Sequence, residues 1–133
     1  MAAWMIRCYR NESGNDLFAK AYREQSPAVR AKFRAILNGL RAQPAIEGWS
    51  RPNGFDRLNG KKYRELGKLR FKVEKVQHRP LGFFGPSEMT FTLLVWATER
   101  DDKFDPPDVR DTALQRMYWV KQNPERSCEC DFL

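Results

Sequence analysis

The stretch KLRFKVEKVQHRPLGFF, residues 68–84, constrains the fold more than any other part of the chain. Apolar and basic residues alternate on both sides of Glu74 and Lys75, which is the pattern of a β-hairpin with two different faces. If these two residues form the turn, paired residues have numbers that sum to 149, and Arg70 lies opposite Arg79. Like charges opposed across strands destabilise a sheet by roughly 0.2–1 kcal/mol per pair. We therefore expect that these two arginines are opposed because they bind a ligand.

The hairpin separates an apolar face from a basic face. The apolar face carries Leu69, Phe71, Val73, Val76, His78 and Pro80. The basic face carries Lys68, Arg70, Lys72, Gln77 and Arg79. Continuing through the turn GPSE into MTFTLLVWAT, with pairs that sum to 173, adds to the basic face Thr90, Thr92, Leu94 and Trp96. Basic side chains beside an aromatic ring suit single-stranded nucleic acid, because phosphates take the charge while a base stacks. The alternative for Trp96, to which we give equal weight, is that a helix covers it and no base can stack on it.

The other segments predict an α+β fold in the order β-α-α-β-β-β-α. We expect a twisted, mostly antiparallel four-stranded sheet, with two helices packed on one face and a C-terminal helix. The additional elements are a strand over 3–10, helices over 15–25 and 26–44, an ordered loop over 44–67 and a helix over 105–124. Ser26 and Asp105 are the expected caps of the last two helices, each followed by a proline. One domain over 1–133 is predicted, with a mobile tail at 124–133.

Composition points to an intracellular protein without a membrane span. No apolar run approaches the roughly 20 residues that a membrane helix needs, and we expect a cytoplasmic location. The chain has three cysteines, an odd number that makes a poor disulfide framework. We expect Cys8 buried in a strand and free thiols at Cys128 and Cys130, a zinc site at the latter pair being the less favoured alternative. No metal and no cofactor are predicted.

The net charge of +7 lies in one segment. Residues 51–81 contain ten Lys or Arg and three acids, whereas the remainder of the chain has fourteen of each. A localised excess favours a polyanionic partner over an ordinary solvated surface.

The segments LGKLRFKVEKVQHRPLGFFG and FTLLVWATERDDKFDPPD, followed by a closing helix, resemble the RelE/HigB-like toxin superfamily and above all its phage-derived branch. The resemblance spans roughly residues 3–122, with its motifs in 66–107. It implies the toxin of a toxin–antitoxin pair, held in check by a helix-turn-helix antitoxin. Such a toxin binds in the ribosomal A site and cuts mRNA without a metal, through attack of a ribose 2′-hydroxyl on the adjacent phosphate.

The resemblance also implies roles for residues. Arg79 corresponds to the arginine at the scissile phosphate and Arg70 to that of the preceding strand. Lys72 is a supporting charge, and His78 stands where the family often has tyrosine. These four are the predicted catalytic residues. The predicted RNA-binding residues are Lys61, Lys62, Arg64, Lys68, Trp96, Arg100 and Lys103.

The general base is left open at this point. The candidates within reach of the motif are Tyr63, Glu65, His78 and Glu99, and the hairpin register turns His78 towards the core. Because no candidate stands out, a non-catalytic module of the same fold that binds RNA or protein is the alternative function. The third possibility is that the basic face only binds an acidic protein partner.

Overall fold

The computed structural model describes residues 3–133, in which three α-helices and ten β-strands alternate. The helices are α1 (Leu17–Arg23), α2 (Pro27–Arg41) and α3 (Val109–Gln122). The strands are β1 (Met5–Tyr9), β2 (Phe55–Arg57), β3 (Leu66–Leu69), β4 (Phe71–Val73), β5 (Val76–His78), β6 (Leu81–Phe84), β7 (Thr90–Val95), β8 (Thr98–Arg100), β9 (Lys103–Asp105) and β10 (Ser127–Glu129). Single 3-10 turns occupy 46–48, 51–53, 61–63 and 124–126. The predicted α+β class is confirmed.

The strands form two sheets instead of the expected four-stranded one. The first has the order β10-β1-β7-β6-β3-β2 and the second the order β4-β5-β8-β9. All pairs are antiparallel except β1 with β7. Three runs of chain pass from one sheet into the other without a turn, at Arg70, at 79–80 and at 96–97. Three of the predicted site residues, Arg70, Arg79 and Trp96, therefore lie where the sheets join.

Pro80 lies at one of these joints, next to a change of register. The predicted hairpin register is confirmed, since Phe71 pairs with His78 and Lys72 with Gln77 around the turn at 74–75. Pro80 has no N–H to donate to the ladder, and the pairing of β6 with β7 shifts between Leu81 and Gly82.

The shift reverses the faces only in the part of the third strand beyond the irregularity. Before it, Phe83 pairs with Thr92, so the partner numbers sum to 175 and Thr90 and Thr92 keep the predicted face. Gln77 pairs with Glu99, so the partner numbers sum to 176 instead of the expected 173. An odd sum becomes an even one, and every side chain beyond the irregularity turns to the opposite face. Trp96 therefore points away from the basic face, and Glu99 points towards it.

Helices α1 and α2 pack on one face of the sheets. Asp16 accepts a hydrogen bond from the Ala19 N–H at the start of α1 (2.8 Å), and Ser26 accepts one from the Val29 N–H at the start of α2 (3.3 Å). The buried side chains between helices and sheets are rich in aromatic rings, among them Phe18, Phe33, Phe71, Phe91 and Trp96.

Helix α3 packs on the opposite face, against β6 and β7. Its Val109, Ala113, Met117 and Val120 are fully buried. They belong to a second cluster that also contains Tyr9, Leu66, Leu81, Phe83 and Leu94. The helix begins at Val109 instead of at Asp105, because 103–105 pair with 98–100 as a hairpin. It ends before Asn123 and Pro124, as expected.

The C-terminal segment forms an edge strand, where we expected a mobile end. Strand β10 pairs with β1, and Phe132 stacks on Tyr22 with ring centroids 4.2 Å apart. Cys130 forms a disulfide with Cys8, which corrects the expectation of a free thiol at Cys130. Cys128 is the free cysteine. The pairing was hidden in the sequence because 122 positions separate the two residues.

Within residues 3–133, no helix has both the length and the apolar character needed to cross a bilayer.

Candidate functional site

A polar cleft of about 550 Å³ opens on the face that carries α3, beside that helix. Its walls come from β2, β3, β5, the β8–β9 hairpin and the first turn of α3. It is lined by Arg51, Asp56, Leu58, Asn59, Lys68, Arg70, Gln77, Arg79, Glu99, Asp102, Lys103, Phe104, Pro107 and Arg110. Six of these side chains are cationic and three are acidic, so the lining carries a net positive charge.

The cleft exists because α3 covers only part of its face of the sheets. The helix lies on β6 and β7, and the joints at Arg70 and at 79–80 carry the strands beyond it into the second sheet. The side chains that alternate onto this uncovered area are polar, and an apolar core does not form there. The opposed basic residues that stood out in the sequence thus line a concave surface.

The floor of the cleft is a hydrogen-bonded group of charges centred on Glu99. Its Oε1 accepts a hydrogen bond from Arg79 Nε (2.8 Å) and lies 3.8 Å from Lys68 Nζ. Only 14% of the Glu99 side chain and 6% of the Arg79 side chain are exposed. Arg79 also donates from Nη1 to the His78 carbonyl (2.9 Å) and from Nη2 to Gln77 Oε1 (2.8 Å). All three nitrogens of this guanidinium are engaged, which fixes its plane and the carboxylate beside it.

The two remaining cations of the floor are less fully satisfied. Burial lowers the pKa of Lys68 below its ordinary value, and the neighbouring Arg79 and Arg70 act in the same direction against the attraction of Glu99. Arg70 Nε is buried without a hydrogen-bond partner among residues 3–133. A buried donor of this kind costs free energy until an acceptor reaches it. Lys68, Arg70 and Arg79 together outweigh the charge of Glu99, so the floor is suited to receive an anion.

Aromatic rings and further cations form the rim on the α3 side. The Lys68 ammonium lies 5.4 Å from the centroid of the Phe104 ring, and the Arg110 guanidinium lies 5.9 Å from it. Arg110 also covers the Tyr63 ring at 4.7 Å. Such a rim can offer a flat apolar surface to a base and positive charge to its phosphate.

Four predicted site residues meet in the cleft: Lys68, Arg70, Arg79 and Lys103. The others are absent from its lining. Lys72 is exposed beside Gln77 on the outer hairpin, and Arg100 is 94% exposed at the tip of β8. Lys61, Lys62 and Arg64 are exposed near the 3-10 turn at 61–63, and Lys62 pairs with Asp111 at 3.1 Å.

Two predicted residues lie on the opposite face, within the aromatic core. Trp96 is only 8% exposed, and His78 only 5%. The Trp96 indole N–H donates to His78 Nδ1 (3.1 Å), and the imidazole stacks on Phe71 at 5.3 Å. Burial, together with the Arg79 charge, lowers the pKa of His78 below its ordinary value of 6.5. The expected catalytic role of His78 and the expected base-stacking role of Trp96 are therefore wrong on geometry, and His78 is a core residue.

Glu99 is the member of the four general-base candidates that lines the cleft. Glu65 pairs with Lys121 at 2.7 Å on the surface, and the Tyr63 hydroxyl donates to Asp111 at 2.7 Å. Sequence reasoning could not rank Glu99 above the others, since the register shift at Leu81 and Gly82 decides its face. Arg110 was missed altogether, because its place depends on where α3 begins.

Among residues 3–133, no cluster of three or more His, Cys, Asp or Glu side chains is arranged to hold a metal ion. No protein-family profile matches the chain, and no curated protein or solved structure is significantly similar to it. The function of the protein is therefore inferred from the geometry of the cleft.

Proposed function

We propose that the protein is the toxin of a toxin–antitoxin pair, of the RelE/HigB-like type, and that it cleaves mRNA on the ribosome in the cytoplasm. The observation that carries the proposal is the Glu99 carboxylate, held between Arg79 and Lys68 on the floor of a basic cleft. A carboxylate in a basic cleft can take the proton of a ribose 2′-hydroxyl, while the surrounding cations stabilise the charge that develops on the phosphate.

In this proposal Glu99 is the general base. It takes the proton of the 2′-hydroxyl, whose oxygen forms a bond to the adjacent phosphorus while the bond from phosphorus to the 5′-oxygen breaks. Lys68 gives a proton to the departing 5′-oxygen, for which a lowered pKa makes it a better acid. The products are a 2′,3′-cyclic phosphate and a 5′-hydroxyl, and no metal takes part.

The other basic residues have separate roles. Arg79 is a positioning residue, because its side chain is only 6% exposed and each of its three nitrogens donates to Glu99, Gln77 or the His78 carbonyl. The guanidinium of Arg70, which lines the cleft, and the exposed ammonium of Lys103 are the groups proposed to bind phosphate oxygens. The helix-turn-helix antitoxin would neutralise the same cleft with acidic side chains.

One observation favours a second candidate, a non-catalytic module that binds RNA or an acidic protein. Arg79 is almost entirely buried and internally hydrogen-bonded, so it cannot reach a scissile phosphate without breaking existing bonds. A protein that uses the cleft for binding alone would have the same floor.

Expression in growing bacteria separates the two candidates. Wild type should arrest growth and produce mRNA fragments, and Lys68→Gln should do neither. Lys20→Gln, an exposed change on α1, serves as the matched control and should behave as wild type. Normal growth with intact mRNA in cells that contain folded wild-type protein would overturn the nuclease and favour the binding module.

A further inference from the structure

A second groove adjoins the cleft on the side of α2. It has a volume of about 420 Å³ and runs between α2 and the 3-10 turn at 51–53. Its lining comprises Lys32, Ala35, Ile36, Gly39, Arg51, Pro52, Asn53, Gly54, Arg70 and Phe71. Its charged side chains are all cationic: Lys32, Arg51 and Arg70.

The groove and the cleft share two walls. Arg51 and Arg70 line both of them, so the two depressions meet along this pair of side chains. Arg51 makes one long ion pair with Asp56, at 3.8 Å, and 65% of its side chain is exposed. An exposed pair of this kind contributes little, which leaves the guanidinium available to a ligand.

Arg70 supplies an independent indication that a ligand belongs at the boundary. Its backbone N–H donates to the Gly54 carbonyl (2.8 Å), which anchors the residue where β3 passes into β4. Its Nε, in contrast, is buried and lacks a partner within the described chain. The side chain borders both depressions, so a phosphate at this boundary would meet the outer part of its guanidinium.

The shape of the groove suits an extended strand. Ala35 and Gly39 lie one helical turn apart on α2 and leave a shallow trough, with Ile36 and Pro52 as apolar sides. Lys32 lies a further turn away on the same face of the helix and is exposed. Cations therefore line both depressions, among them Lys103 in the cleft and Lys32 in the groove.

We propose that an RNA strand bound in the cleft crosses between Arg51 and Arg70 and continues along α2, where Lys32 holds a further phosphate. This inference rests on the proposed function for the identity of its ligand. It adds that the binding site is longer than the cleavage site and has a subsite on α2.

Binding to oligouridylates of two lengths tests the inference. About 4 nucleotides occupy the cleft alone, and about 12 reach the groove, within the range of known single-strand sites. Both RNAs carry 2′-O-methyl groups, so that they lack the attacking hydroxyl and binding is measured without cleavage. The variants are Lys32→Glu and, as the control, Arg34→Glu, which changes an exposed cation of α2 outside the groove lining. Circular dichroism checks that both are folded.

We expect wild type to bind the longer RNA more tightly, and Lys32→Glu to weaken that binding several-fold while binding of the shorter RNA is unchanged. The slope of log affinity against log salt for the longer RNA should fall in magnitude by about 0.7 in this variant, the value for one phosphate contact. Arg34→Glu should leave both affinities at the wild-type level.

Equal effects of the two variants, or equal wild-type affinity for both lengths, would overturn the subsite. Absence of binding to either RNA would overturn it as well. None of these three results measures cleavage, which the growth experiment decides separately.

Discussion

The end of β5 separates two very different environments, although adjacent residues enter them. His78 lies in a closed aromatic core, hydrogen-bonded to Trp96 and stacked on Phe71. Arg79, the next residue, lies on the floor of an open cleft beside Glu99. The first face is filled by apolar and aromatic side chains, whereas the second is lined mainly by charged and polar ones.

This difference separates stability from function. Aromatic burial supplies most of the free energy of folding on the α1 and α2 side, since each large side chain removes extensive apolar area from water. The cleft instead groups like charges, which costs free energy in the unbound protein. Substitutions on the aromatic face should therefore lower the free energy of unfolding, whereas substitutions in the cleft should change RNA binding or cleavage and leave stability nearly unchanged. The predictions below run from the largest expected effect to the smallest.

The strongest contrast is between Phe33→Ala and Lys103→Ala. Phe33 is fully buried among the rings of Phe18, Tyr22 and Trp96, and its truncation should lower the free energy of unfolding by about 3–5 kcal/mol. Lys103 is exposed, and its truncation should change the free energy of unfolding by less than about 0.5 kcal/mol. Urea unfolding measures both, and comparable losses would contradict the separation.

The C-terminal strand belongs to the aromatic face and should be needed for its stability. Cys130→Ser removes the disulfide to Cys8 and should cost about 2–4 kcal/mol, because the crosslink restrains a long loop in the unfolded chain. Cys128→Ser, at the free cysteine, is the control and should cost far less. Thermal unfolding with and without reductant measures the effect. If reduction left the melting temperature of the wild type unchanged, the disulfide and the C-terminal strand would not stabilise the fold as we predict.

Acid should weaken the aromatic face through His78. Its pKa in the folded protein is lowered from 6.5, chiefly by burial, so the unfolded chain binds the proton more readily. The contribution of neutral His78 to the free energy of unfolding is complete above pH 6.5. It is lost as the pH falls below that value, by at most about 1.4 kcal/mol per pH unit. His78→Phe should remove this slope between about pH 7 and pH 5, because the chain has no other histidine. An unchanged slope in the variant would show that other groups cause it.

The smallest effect distinguishes two cations of one hairpin. Lys103 and Arg100 are cross-strand partners, but only Lys103 lines the cleft. Lys103→Ala should reduce the salt slope for single-stranded RNA by about 0.7, and Arg100→Ala should leave it unchanged. Equal slopes in the two variants would mean that the whole hairpin tip binds RNA.

Local pattern was sufficient to predict part of this arrangement. Alternation fixed the faces of the first hairpin, and periodicity with caps located α1 and α2. The structure confirms both. Lys68, Arg70 and Arg79 consequently share one face, as expected.

The remaining features depend on contacts between distant parts of the chain. The bulge after Pro80 moves Trp96 into the core and Glu99 into the cleft, and alternation cannot reveal where a register changes. The disulfide joins residues at opposite ends of the chain. Arg110 reaches the cleft only because α3 begins after the β8–β9 hairpin. Each of these depends on tertiary packing, which a single sequence does not display.

Cleavage of ribosome-bound mRNA by purified Glu99→Gln protein tests the central claim most directly. The amide keeps the size of the side chain but cannot accept the proton of a 2′-hydroxyl. Wild type should produce fragments that end in a 2′,3′-cyclic phosphate. The variant should produce them about 10² to 10⁴ times more slowly, while its affinity for 2′-O-methyl RNA stays equal or rises. Equal rates of cyclic phosphate formation by the two folded proteins would contradict the role of Glu99 in the cleft.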